Sequence, residues 1–257
     1  MYLGIDIGGT KTLIALFTRR GLIRRKIKFR TAQGSRTFLE NLSEHLNEFK
    51  KYKIRSIAVA IPGLVQKNYS VQFGNRDWKN IDILTPIKEL FDCPIVFEND
   101  ANLGALYEGY RIPGKTVFLT FSTGIGGGIV EKNQILEESN TFEPGHLIYQ
   151  YNGKDLEWED IAAASALEKT YHVDRATNLR KKEQLEEFAK RVYLGLPDVI
   201  KKCQPDTIVL GGPMGKVFRL YVKYLPNDLG VRLKKPKRPT ESVIYGCYLY
   251  AKQQKQG

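Results

Sequence analysis

The feature that most constrains the fold is a pattern that occurs twice. An apolar run, Tyr2–Ile7, ends on Gly8-Gly9-Thr10, and Thr12–Phe17 returns as a second apolar run. After Arg19-Arg20-Gly21 a third segment, Leu22–Phe29, alternates apolar and basic residues. Further on, Val117–Phe121 ends on the glycine-rich Ser122–Gly128, and Ile129–Glu131 and Gln134–Leu136 return around Lys132-Asn133. Strand, glycine-rich turn, strand, turn, strand predicts a hairpin meander opening each of two related halves.

Helical periodicity fills the spaces between. Ser35 precedes Phe38, Leu39, Leu42, Leu46 and Phe49 at a 3.6-residue period, and Glu183–Lys202 and Ser242–Lys252 read as further helices. Leu156–Leu167 and Val217–Leu225 are each expected as one helix. Ile57–Ile61, Ile95–Phe97 and Asp206–Leu210 are apolar enough for buried strands, and Val231–Leu233 is a short one. The class is therefore α/β. The expected division is an N-terminal lobe over 1–114, a C-terminal lobe over 115–240, and a last helix over 241–257 that packs back on the first lobe.

There is no apolar run of about 18 residues, so no membrane span is expected. Cys93, Cys203 and Cys247 lack paired spacing, which suits a reducing cytoplasm and offers no cysteine zinc site. Lys and Arg total 40 against 28 Asp and Glu, a net charge of +12 that attracts polyanions. The basic clusters do not interleave aromatics as a single-strand nucleic-acid surface would.

Chemistry gathers at the ends of the apolar runs. Pro94–Phe97 leads directly into Glu98-Asn99-Asp100, polar groups at a strand end, where open α/β sheets bind ligands. Two roles are open there: Asn99 or Asp100 caps the following helix, or Asp100 acts as a base. Asp6 stands at the end of the first strand, suited to hold Mg²⁺ directly or through water. Gly8, Gly9, Thr10, Lys11 and Thr12 follow with backbone N–H groups, hydroxyls and an ammonium for phosphate oxygens. Ser122, Thr123, Gly124 and Gly126 repeat that chemistry in the second half. Glu143, His146 and Glu159 can accept from and donate to several sugar hydroxyls, although a lone histidine is also compatible with a satisfied structural role. Gly211-Gly212 closes a strand with no side chains, leaving room for a flat ligand such as adenine.

In this order the motifs resemble the ROK family of sugar kinases. The resemblance rests on Asp6 through Lys11, Ile61-Pro62-Gly63, Asn75 with Trp78, Glu98 through Asn102, Thr123 through Gly128, Glu143 through His146, and Gly211-Gly212. It implies an actin-like ATPase, ribonuclease H-like fold, with two lobes around a central cleft that closes on the sugar. It implies a kinase moving a phosphoryl group from ATP–Mg²⁺ to a hexose, glucose foremost. Asp100 would be the base; Gly63, Asn75, Asn99, Glu143, His146 and Glu159 would hold the sugar, and the glycine turns with Gly211 and Gly212 the donor. Members often carry a cysteine-rich zinc loop after the histidine. Leu147–Trp158 has no cysteine, so no zinc is expected and His146 is left to the sugar alone. Short zinc-less members include polyphosphate glucokinases, which makes polyphosphate an alternative donor. A family repressor is the other alternative, disfavoured because the chain opens directly on the first strand. A homodimer is expected, with no specific nucleic-acid partner.

Overall fold

Two five-stranded sheets carry the structure, and they are wired alike. The computed structural model describes residues 1–63, 70, 71, 78 and 81–254. The chain divides into two compact units, one made of 1–107 with 243–257 and the other of 108–242.

The first unit opens with the meander β1 (Tyr2–Ile7), β2 (Lys11–Phe17) and β3 (Ile23–Arg30). Then come α1 (Ser35–Asn47), β4 (Ser56–Ile61), the short pair β5 (Ser70–Val71) and β6 (Ile81–Asp82), α2 (Leu84–Lys88), β7 (Ile95–Asn99) and α3 (Asp100–Gly109). The sheet order is β3-β2-β1-β4-β7, with β1, β4 and β7 mutually parallel. Asp6 pairs with Ala60 and Ala60 with Glu98, so the carboxyl ends of these three strands are level. Phe38, Leu42 and Leu46 of α1 join Ile5, Ile7, Ile14, Leu16, Val59 and Ile61 in one core. Trp78 is buried there too, its indole N–H donating to the Gln33 carbonyl at 2.6 Å and its ring tilted on Phe38.

The second unit repeats the plan. β8 (Thr116–Phe121), β9 (Ile125–Glu131) and β10 (Gln134–Ile135) form the meander. They are followed by β11 (Ile148–Tyr151), β12 (Lys154–Glu157), α4 (Trp158–Ala162), α5 (Ala164–Tyr171), α6 (Lys182–Cys203), β13 (Thr207–Gly211), α7 (Phe218–Tyr221), β14 (Arg232–Lys234) and α8 (Ser242–Gln253). The order β10-β9-β8-β13-β14 matches the first sheet position for position, with β8, β13 and β14 parallel. The sequence repeat is thus a repeat of topology. No helix among the described residues is long and apolar enough to cross a membrane.

Three expectations need correction. Ser122–Gly128 is a turn only over Ser122–Gly124; Gly126, Gly127 and Gly128 lie inside β9. A side chain at Gly127 would collide with Phe142, so this glycine permits close packing rather than bending. Leu156–Leu167 is not one helix: its start belongs to β12, and Ala163 is extended between α4 and α5. Val217–Leu225 is likewise broken into α7 between two 3₁₀ turns.

α8 begins where the chain returns to the first unit. Ile244, Cys247 and Ala251 on it are fully buried, and Ser56 Oγ donates to the Ala251 carbonyl at 2.5 Å. Gly246 lies so close to the Leu103 carbonyl of α3 that a Cβ there would overlap backbone. Backbone cannot swing aside as a side chain can. Gly246→Ala should therefore destabilise by about 1–3 kcal/mol, read by denaturant unfolding; an unchanged midpoint would mean the two helices have room to part.

Candidate active site

β7 passes into α3 with no connecting loop, so the strand's last residues also serve the helix start. Asn99 Oδ1 accepts from the N–H groups of Ala101 at 2.8 Å and Asn102 at 3.1 Å, filling donors that a first helical turn leaves open. The cap thus falls on Asn99. Asp100 Oδ1 shares the Ala101 N–H, also at 2.8 Å. Asn99 Nδ2 donates to the Gly63 carbonyl at 3.0 Å, tying the end of β7 to the turn after β4, where Gly63 has φ 84°. Glu98 Oε1 accepts from Asn99 N and from Asn102 Nδ2, which fixes the trio's backbone from below.

Asp6 ends the neighbouring stretch of β1. Protein crowds it closely, and that burial pushes its carboxyl up to about 7, helped by the charge of Asp100 and opposed by Lys28. Asp6 and Asp100 are therefore near enough to repel. A carboxylate held back from ionisation by burial and a like charge gains from a cation beside it. Together with the exposed Thr10, this oxygen-rich set fits Mg²⁺.

The adjoining turn is closed by Gly8 N–H donating to Lys11 O at 3.1 Å. Gly9, Thr10 and Lys11 are exposed on it. Thr12 is not: it is fully buried, and its hydroxyl meets Thr31 Oγ1 at 2.9 Å, which in turn donates to Gly8 O at 2.8 Å. The expectation of a phosphate-facing hydroxyl at Thr12 does not fit this geometry. Strand alternation sends it inward, where it braces the turn. Thr31 was not anticipated, and no sequence signal marks it.

In the second unit, Ser122, Thr123 and Gly124 form the turn after β8. Ser165 fastens it through Oγ to Thr123 O at 2.5 Å and through N to Ser122 O at 3.3 Å. Glu159 Oε2 accepts from Ile125 N–H at 3.2 Å, and a Cβ at Gly124 or Gly145 would strike Glu159. The turn, Gly145 and Glu159 are thus one packed assembly. His146 joins it: its ligating nitrogen and carboxylate oxygens of Glu157 and Glu159 lie within 4.8 Å of one another. His146 Nδ1 is 3.0 Å from Glu157 Oε2, so the ring is not left to a sugar alone, as expected from sequence. Glu143 is exposed and lines a cavity of about 390 Å³ with Phe142, Pro144, Leu147 and Lys202, a cavity that none of the strand-end carboxylates borders. Gly211 and Gly212 are buried against Phe118 and against Thr120 and Phe121, respectively; Gly212 adopts φ 69°. Asn75 lies outside the described residues.

Each unit therefore ends its parallel strands in a glycine turn with carboxylates beside it, on the same sheet topology. The ROK family model matches residues 2–245. The chain belongs to the ROK family. Its fold is that of solved ROK proteins with the actin-like ATPase architecture. The ROK hexokinase of Thermus thermophilus is 25% identical, with 97% of each chain covered and a TM-score of 0.74. A ROK glucokinase of Streptomyces griseus, solved with glucose and AMPPNP, superposes with a TM-score of 0.77 at 19% identity over 98% of this chain and 99% of its own. Among curated relatives, the xylose repressor of Bacillus spizizenii is 27% identical over 185 residues. That match covers 62% of this chain, and the chain spans 48% of the repressor's length. ROK proteins of both kinds, sugar kinases and regulators, are thus its relatives.

Proposed function

We propose that this ROK protein is a sugar kinase that transfers the terminal phosphoryl group of ATP to a hydroxyl of a hexose, glucose foremost. The observation that carries the reading is the pair Asp6 and Asp100, mutually repelling at the ends of level parallel strands beside an open glycine turn. Asp100 takes the proton from the attacking hydroxyl, while Asn99, with the cap duty, holds the strand end in register. Mg²⁺, when bound near Asp6, neutralises donor-phosphate charge. Gly8, Gly9, Thr10 and Lys11 hold donor oxygens, as do Ser122, Thr123, Gly124 and Gly126; Gly211 and Gly212 keep the nucleotide floor clear of side chains. Glu143, His146 and Glu159 with Gly63 and Asn75 orient the sugar. We place the protein in the cytoplasm as a homodimer. Its three cysteines are free, and burial pushes the thiols of Cys93 and Cys203 up to about 11, which suits a reducing compartment. The test is a coupled assay over hexoses and donors. Absence of phosphorylation of every sugar would sink the reading in favour of a regulator.

A specific observation keeps polyphosphate as a second donor. On β3 the exposed positions Lys26, Lys28 and Arg30 share one face, and Arg30 pairs in register with Lys11 of the phosphate turn. Cations at alternate strand positions stand ~7 Å apart, a row suited to a linear polyanion. Lys28→Glu should raise the KM for polyphosphate about tenfold and change the KM for ATP far less. Equal effects on both donors would remove the row from the donor path.

A further inference from the structure

Glu157 is absent from the sugar-holding set proposed above, yet it makes the sole hydrogen bond printed on the His146 ring, Nδ1 to Oε2 at 3.0 Å. The chain brings the two together through a hairpin. Asn152 and Gly153 at positive φ turn β11 into β12, which sets Ile148 opposite Glu157. The hairpin is pinned to α6 through Tyr149 Oη to Asp198 at 2.7 Å and Tyr151 Oη to Glu187 at 2.6 Å. Next to Glu157, Trp158 is fully buried, and its indole N–H donates to the Arg191 carbonyl at 2.9 Å. With Trp158 anchored inward, Glu157 and Glu159 on either side are held at His146 and at the glycine turn.

We infer that Glu157 is a positioning residue for sugar binding, fixing the His146 ring with its Nδ1–H on the carboxylate and its Nε2 presented to a sugar hydroxyl. A histidine with one nitrogen committed in this way has a defined tautomer, and a defined tautomer is what lets the other nitrogen discriminate donor from acceptor. The charges reaching the ring support the assignment. The hydrogen bond from Glu157 raises the imidazole pKa above its ordinary value, against partial desolvation, and the charges of Glu157, Glu159 and Glu143 add to it.

The inference rests on the kinase reading, so its test includes a readout that does not need turnover. Nitrogen-15 NMR of the full-length protein, with His146 assigned by its loss in His146→Gln, reports tautomer and titration directly. In Glu157→Ala the neutral ring should lose its single-tautomer signature and titrate at lower pH. In Glu157→Gln the amide oxygen can still accept from Nδ1, so the tautomer should survive while the titration falls. In the coupled assay Glu157→Ala should raise the sugar KM about three- to tenfold with kcat within about twofold. Glu157→Gln should restore most of the affinity, and the inflection in sugar KM against pH should move down with the ring. An unchanged His146 spectrum in Glu157→Ala overturns the inference. So does chelator-treated wild-type protein that reproduces the Glu157→Ala spectrum, since a cation would then be holding the ring. Failure of the wild-type enzyme to phosphorylate any sugar would overturn the kinase reading while leaving the spectra to decide the role of Glu157.

Discussion

Asp100→Asn should lower kcat by about 10²–10⁴-fold while sugar binding, measured by calorimetry, stays close to wild type. The substitution is chosen because an asparagine keeps an oxygen where Asp100 Oδ1 accepts the Ala101 N–H, and because Asn99 carries the cap. The start of α3 should therefore survive, and thermal unfolding should confirm it. A second consequence distinguishes this variant from a mere local disturbance. The charge of Asp100 is one of the causes that lift the Asp6 carboxyl to about 7, so removing it should let Asp6 ionise at lower pH. Carbon-13 NMR of the carboxyls in metal-free protein reads that change. Wild-type turnover in Asp100→Asn would remove it as the base, whatever Asp6 does.

Trp158→Ala should be the most damaging single change for stability, about 3–5 kcal/mol. The indole is fully buried and edge-on to Phe121, and it fills the space that Gly195 of α6 leaves by having no side chain. Truncation would empty that volume and leave the Arg191 carbonyl without its indole donor. A thermal transition lower by about 10 °C is expected. Activity should fall further than the folded fraction explains, because Glu157 and Glu159 flank the lost anchor. A variant with native stability would show that the α6 surface closes over the gap.

Where sequence reading worked, it worked on strands and on the repeat. Runs such as Ile57–Ile61 are apolar on both faces because helices cover both faces of a parallel sheet, and such runs have few other destinations. The glycine turn after β1 was legible because Gly8-Gly9 interrupts two runs of β-forming residues. Reading failed where glycine had two explanations. At Gly126–Gly128 the bend and the tight approach look the same in sequence, and only the position of Phe142 decides between them. It failed again at Leu156–Leu167, whose apolar spacing mimics a helix. Asn152-Gly153 was the available signal: a two-residue turn there forces residues 148 and 157 into register and uncovers the His146–Glu157 pair. Thr12 could have been assigned inward by alternation along β2, but its partner Thr31 lies beyond the end of β3 and depends on how the chain comes back to the turn.

The first unit is written in two pieces of sequence, with the whole second unit between them. Its sheet needs α8, since Gly4 of β1 is covered by Ile244 and Cys247. During synthesis the segment 108–242 leaves the ribosome complete while the earlier strands still wait for their cover. Folding can then proceed on the inserted unit first, and the amino-terminal sheet is left to chaperones until the final codons are read. Genetically, a frameshift or premature stop after residue 242 would spare every side chain proposed for chemistry and still cost the protein its first sheet, so null alleles at the far end of the gene should be scored as folding lesions before they are scored as catalytic ones.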